Sequence, residues 1–150
     1  MSYLIDTNVL VRLANTDDTL FGVAELAVQR LHRGAEALHI TAQNLIEFRN
    51  VATRPKALNG LGLALTETES KATAFEATFP LLPEIPEIYP AWKAVVHTAG
   101  VIGKQVHDAR LVAVCHAHGV SHLLTFNDAH FARLPPGLIV VSPLTIGLPI

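Results

Sequence analysis

The chain has 150 residues, a length that favours one domain, and half of them are hydrophobic against 16% charged; a core is readily supplied and long disordered tails are excluded. Eleven Lys and Arg against thirteen Asp and Glu leave a formal net charge of −2, which excludes a polycationic nucleic-acid wrapper or a strongly basic membrane binder but not a local basic patch. The single cysteine, Cys115, cannot build a disulfide framework, no basic segment leads into an apolar signal core after Met1, and no apolar run reaches the ~18 residues of a membrane span, so the expected compartment is the cytoplasm, with no membrane partner.

Tyr3-Leu4-Ile5, followed at once by Asp6-Thr7-Asn8, predicts a buried strand ending in a polar turn, with a short helix through Leu13. From Leu20 to about Arg33, the residues Leu20, Val23, Ala24, Ala27, Val28 and Leu31 recur at helical spacing, and Gly34 supplies a stop. Leu38-His39-Ile40 predicts a second strand. Thr41 is placed to cap a helix from Ala42 to about Arg54, ended by Pro55, whose ring disfavours helical geometry in the residue before it. After a loop from Leu58 to Gly62, Thr66 and Glu69 have the spacing of a capping box for a helix to about Phe79. Pro80, Pro83, Pro86 and Pro90 exclude one continuous helix or a central strand before a helix from Ala91 to Thr98. Beyond the loop from Gly100 to Gly103, Asp108 opens an all-round apolar helix through Cys115, closed by Gly119. Leu123-Leu124-Thr125 and Leu138-Ile139-Val140-Val141 complete the strands. Their alternation with helices predicts an α/β fold, one domain over 1–150, with a parallel sheet covered on both faces.

Ligands of open parallel sheets collect outside the carboxyl ends of the strands. Asp6 follows the first strand, Asn127 and Asp128 follow the strand at Leu123, and Asp108 begins the buried helix. On the helix from Ala42, the residues Gln43, Glu47, Asn50 and Arg54 share a polar face. If that face meets the strand ends, Asp6, Glu47 and Asp108 converge. Clustered carboxylates repel and resist burial, so a persistent cluster implies a hard divalent cation such as Mg²⁺, which takes oxygen ligands together with substrate phosphates. Phosphate-ester hydrolysis is the matching chemistry.

Each acid also has a purely structural reading. Asp6 and Asp108 stand where aspartate caps a helix, Glu47 fits a solvated stripe, and Asp128 fits an ordinary turn. Thr7, Asn8 and Thr125 could orient an acid or a water, or serve local turn bonding. Arg12, Arg49, Arg54, Lys104 and Arg110 are nearest the acids in sequence and are candidate holders of substrate phosphates, with surface charge as the alternative. His107, beside Asp108, is a candidate proton shuttle. The run from Cys115 to His122 lacks a Cys-x-x-Cys partner for zinc, and the segment from Gly100 to Lys104 lacks the first glycine and the final hydroxyl of a phosphate loop.

Four segments in order, Leu4-Ile5-Asp6-Thr7-Asn8-Val9-Leu10, the stretch from Thr41 to Pro55, the stretch from Val106 to Ala113, and Leu124-Thr125-Phe126-Asn127, resemble the PIN domain. Within it they resemble the VapC-type toxin ribonucleases of bacterial toxin–antitoxin pairs. The resemblance spans nearly the whole chain. It implies a three-layer α/β/α sandwich around a mostly parallel sheet. It also implies a Mg²⁺- or Mn²⁺-dependent endoribonuclease in which Asp6, Glu47 and Asp108 match the three principal metal-site acids. The fourth position falls on Asn127, with Asp128 as the neighbouring carboxylate. His130-Phe131 stands where relatives often carry Asp-Phe, a departure that implies one firmly held ion rather than two. The resemblance further implies an RNA substrate, a homodimer, and a small cognate antitoxin whose C-terminal segment covers the active site. Two alternatives stand beside it. One is a catalytically weakened PIN module that binds RNA or a protein partner without cleavage, with His130 as its support. The other is a phosphohydrolase attacking through Asp6, against which Asn8 replaces the second acid of an Asp-x-Asp motif.

Overall fold

The computed structural model describes residues 1–132, 134 and 137–148. Strands β1 (Ser2–Ile5), β2 (Ala37–Thr41), β3 (Leu81–Leu82), β4 (His122–Leu124) and β5 (Ile139–Val141) form one sheet in the order β3-β2-β1-β4-β5. Every pairing is parallel. The helices are α1 (Thr7–Leu13), α2 (Phe21–Arg33), α3 (Ala42–Thr53), α4 (Leu65–Thr78), α5 (Ile88–Ala99), α6 (Gln105–His118), α7 (Asp128–Phe131) and α8 (Pro143–Ile146). The chain moves outward from β1 to β2 and β3, then returns to the other side of β1 for β4 and β5. That reversal opens a crevice between the carboxyl ends of β1 and β4, the switch point where such sheets bind ligands.

Alternation along the strands divides the interior in two. Tyr3 and Ile5 pack with Leu10 of α1, Val28 of α2, Phe48 of α3 and Ala72 of α4. Leu4, between them, packs on the opposite face with Val95 of α5 and Val112 and Cys115 of α6. The result is the α/β/α sandwich. Helix α6 follows from its composition: Leu111, Val112, Ala113, Val114 and Cys115 are all buried, and Gly119, at φ +67°, closes it in a conformation that glycine adopts without penalty. Helix α3 begins directly at the end of β2, because Thr41 and Asn44 cap one another. Among the described residues no helix is long and apolar enough to cross a membrane.

Several local expectations are corrected. Thr66 and Glu69 form no capping box: the cap position falls on Ala64, two residues before Thr66, and has no side-chain cap. Glu69 instead meets Arg49 across the α3–α4 contact, at 2.6 Å and 2.8 Å, a two-bond charged partner that outcompetes a backbone N–H. Helix α5 starts at Ile88 rather than Ala91, with Pro90 in its first turn, where the missing N–H breaks no helical bond. The proline-rich connection holds β3, an edge strand of two residues, and part of the loop from Leu58 is a 3-10 turn, Lys56–Leu58. Helix α6 starts at Gln105, so Asp108 lies inside its first turn and caps nothing.

Phe48 is fully buried and meets Phe75 edge-on, ring centroids 5.2 Å apart. Phe48→Ala is expected to cost about 3–5 kcal/mol in urea unfolding, because the sheet and α4 cannot both close on the void.

Candidate metal centre

Asp6 leaves β1 and enters α1 in one residue, which places its carboxylate in the switch-point crevice. It is 6% exposed. Oδ1 accepts from the Thr7 backbone N–H at 2.7 Å, so the capping role is real. Oδ2 accepts from the Thr125 hydroxyl at 2.8 Å and from the Asn8 carboxamide at 3.1 Å. Asn8 also donates to Thr125 Oγ1 and accepts from the Phe126 N–H at 3.1 Å, pinning α1 to the end of β4. Thr125, fully buried, accepts in turn from the Asn127 N–H at 3.0 Å, which turns the chain so that Asn127 lines the crevice.

Glu47 arrives from α3. Thr41 and Asn44 fix the start of that helix, and the fully buried Asn44 donates to Thr7 Oγ1 at 3.1 Å. That bond ties the capped start of α3, the helix that carries the second acid, to the first residue of α1. Gln43, one turn before Glu47, donates to its Oε1 at 2.7 Å and to the His107 carbonyl of α6 at 2.9 Å. Asp108, half-buried on α6, is the third acid, with His130 Nδ1 4.0 Å from its Oδ2.

Asp6, Glu47, Asp108 and Asn127 line one cleft of about 330 Å³, together with Thr7, Asn8, Arg12 and Asp18. Burial pushes the Asp6 carboxyl up to about 6, opposed by the Thr125 and Thr7 hydrogen bonds and reinforced by the charges of Asp108 and Glu47. Burial also raises Glu47, against the Gln43 hydrogen bond and the His107 charge, and raises Asp108 against His130 and His107. All three acids therefore resist ionisation. The donor set is entirely oxygen, which suits a hard divalent ion. Among the described residues no three His, Cys, Asp or Glu side chains group closely enough to grip one ion directly. The fit is thus to an ion that keeps part of its water shell and meets some of the acids through it.

The remaining sequence candidates separate. Asp128 is exposed as the first residue of α7 and does not line the cleft. Arg12 does line it, paired with Asp18 at 3.0 Å and with its guanidinium 4.7 Å from the Phe126 ring centroid. Arg49 is held by Glu69, and Arg54 donates to the Asn59 carbonyl at 3.3 Å. Lys104 is exposed at the start of α6. Arg110 is held between Gln43 and Glu84. Asn44 and Asp18 escaped the sequence reading. Asn44 left a signal, a polar residue on the buried stripe of Leu45, Phe48 and Ala52, whereas nothing in the sequence marks Asp18.

A three-layer α/β/α sandwich with a carboxylate cleft at the β1–β4 switch point is the class this chain defines. It belongs to the PIN domain family, whose model matches residues 3–135. In the crystal structure of VapBC2 from Rickettsia felis bound to a promoter DNA fragment, a chain aligns with TM-score 0.72 and 18% identity, over 95% of this chain and 98% of that one. The Mycobacterium tuberculosis toxin VapC20, described as cleaving the sarcin-ricin loop, aligns with TM-score 0.60 and 16% identity, over 89% and 99%. A toxin–antitoxin complex from Klebsiella pneumoniae contains a chain with TM-score 0.63 and 22% identity, over 94% and 97%. No curated protein matches the sequence.

The raised Asp6 value carries a stability consequence. The folded protein holds this proton more tightly than a free aspartate, so the cost of ionisation is absent below about pH 4, grows towards pH 6, and is complete above it, at about 3 kcal/mol in the absence of metal. In EDTA, urea melts at pH 4.5 and 7.5 are expected to show a smaller loss of stability with rising pH for Asp6→Asn than for wild type. Equal pH dependence in both proteins would contradict this.

Proposed function

We propose that this protein is a divalent-metal-dependent endoribonuclease and the toxin of a toxin–antitoxin pair. The observation that carries the proposal is the cleft at the switch point, lined by one acid from the end of β1 and one each from α3 and α6, with their ionisation opposed by burial. Membership of the PIN domain family supports the nuclease reading, and the sarcin-ricin loop cleavage named for VapC20 supports RNA as the substrate class. The VapBC and toxin–antitoxin complexes among the structural neighbours support a cognate antitoxin as partner, and the family resemblance supports a homodimer.

Asp6, Glu47 and Asp108 would hold one Mg²⁺ or Mn²⁺ ion, with Asn127 as the neutral oxygen donor beside them. When bound, the ion supplies positive charge that offsets the acids and polarises both a water and the phosphodiester. The chain's own contribution is positioning. Asp6 cannot swing, because both of its oxygens are held by groups from α1 and the end of β4. Glu47 is oriented by Gln43. Arg12, at the cleft edge and stacked on Phe126, is placed to receive a phosphate in exchange for Asp18, and exposed Lys104 adds charge on the α6 side. His130, close to Asp108, can hold a proton near that acid. The same histidine also supports a second reading, a PIN module that binds RNA without cutting it.

Incubation of structured and single-stranded RNA with the purified protein separates the two. Cleavage is expected in Mg²⁺, stopped by EDTA, and reduced in Asp6→Asn by more than about 100-fold, beyond the loss typical of outer-shell partners alone. RNA that is retained but uncut in both Mg²⁺ and Mn²⁺ would support the binding module. Cleavage surviving Asp6→Asn unchanged would contradict the assigned site.

A further inference from the structure

A continuous polar chain runs from the proline-rich connection to the second acid: Glu84, Arg110, Gln43, Glu47. Arg110 NH2 donates to Glu84 Oε2 at 2.5 Å, and its NH1 donates to Gln43 Oε1 at 3.0 Å. The Gln43 amide nitrogen then donates to Glu47 Oε1 at 2.7 Å and to the His107 carbonyl at 2.9 Å. Gln43 and Glu47 lie on α3, whereas His107, Asp108 and Arg110 lie on α6. One carboxamide therefore ties together the two helices that carry the second and third acids.

The direction of that carboxamide is decided by Arg110. A glutamine amide presents an acceptor on one side and donors on the other. Were it reversed, its oxygen would face a carboxylate and a carbonyl, and its nitrogen would face a guanidinium. Every one of those contacts would be repulsive. Arg110 offers only donors and keeps its charge at any working pH, so it holds the amide the right way round. Glu84 in turn holds the guanidinium through its other nitrogen. An isolated Arg110–Glu84 surface pair would contribute little. Its place at the head of this chain gives it a different role.

We infer that Gln43 and Arg110 are positioning residues that fix Glu47 and set the α3–α6 spacing for the divalent ion, with Arg110 acting through Gln43 rather than on RNA phosphate. This rests on the metal-nuclease reading of the cleft. Both side chains are partly exposed, and neither belongs to the apolar core.

The test uses the full chain as wild type, Gln43→Leu, Arg110→Met, and the double variant, with Mn²⁺ affinity measured calorimetrically beside kcat and KM on one RNA. Each single variant is expected to bind Mn²⁺ roughly 10- to 100-fold more weakly, with lower kcat and with KM for RNA changed by less than about twofold. The double variant is expected to fall little further than the singles, because both changes break one chain. Unchanged Mn²⁺ affinity in Arg110→Met, with raised KM and a salt slope of RNA binding reduced by about one, would make Arg110 a phosphate contact and overturn the inference. Should Arg110→Met fail to fold, Gln43→Leu decides by the same Mn²⁺ measurement. A wild type that binds Mn²⁺ and cuts RNA, with both singles unchanged, removes this inference alone. A wild type that does neither removes the metal-nuclease reading and this inference with it.

Discussion

A carboxylate buried at the one place where the sheet reverses direction organises this molecule. Asp6 is almost wholly removed from solvent, yet each of its oxygens has a partner supplied by a different part of the chain. Thr7 donates its backbone N–H to it from the start of α1, Asn8 reaches it from the same helix, and Thr125 reaches it from the end of β4. These bonds have two consequences for the structure. They join the first strand to the fourth across the switch point, and they hold an acid whose ionisation the burial itself opposes. A fold that served stability alone would gain by placing an apolar side chain there. Retaining the acid makes sense when a cation completes it.

The other acids are delivered by rigid elements rather than loops. Glu47 sits one turn from the Gln43 clamp on a helix whose start is locked by Thr41 and Asn44. Asp108 sits in the first turn of α6, which buries Leu111 to Cys115 without a break. Helices anchored in two separate core layers bring their polar ends to one cleft, and the relative placement of α3 and α6 governs the distance between those ends. The Glu84–Arg110–Gln43 chain acts on that distance. Its far end, Glu84, lies in the proline-rich connection between β3 and α5.

Much of this was legible in the sequence because it depends on local rules. Period-two and period-3.6 patterns locate the central strands and long helices, Thr41 announces α3, and Pro55 and Gly119 announce two endings. The polar turn after the first strand singled out Asp6, the polar face of α3 singled out Glu47 and the start of the buried helix singled out Asp108, and all three do line one cleft. The failures share a cause. Glu69 was read as a cap because its spacing from Thr66 is right, but a partner on another helix took it. Asp108 was read as opening α6 because polarity changes there, although three preceding residues extend the helix. Strand β3 is too short to show a period and exists only because β2 has a free edge. Asp18 and Glu84 acquire roles from Arg12 and Arg110, 6 and 26 residues away along the chain, and no local pattern carries that information. Asp128 and Asn127 differ by one residue in sequence, yet the turn closed by Thr125 aims only Asn127 into the cleft.

The central claim is that Asp6, Glu47 and Asp108 act as one cation site. Anomalous diffraction from crystals grown with saturating Mn²⁺ at neutral pH tests it most directly. A single strong peak in the cleft, coordinated by Asp6 and at least one of the other two acids with water completing the shell, is the predicted result. A cleft without an anomalous peak, its carboxylates hydrogen-bonded only to protein and water, would contradict it.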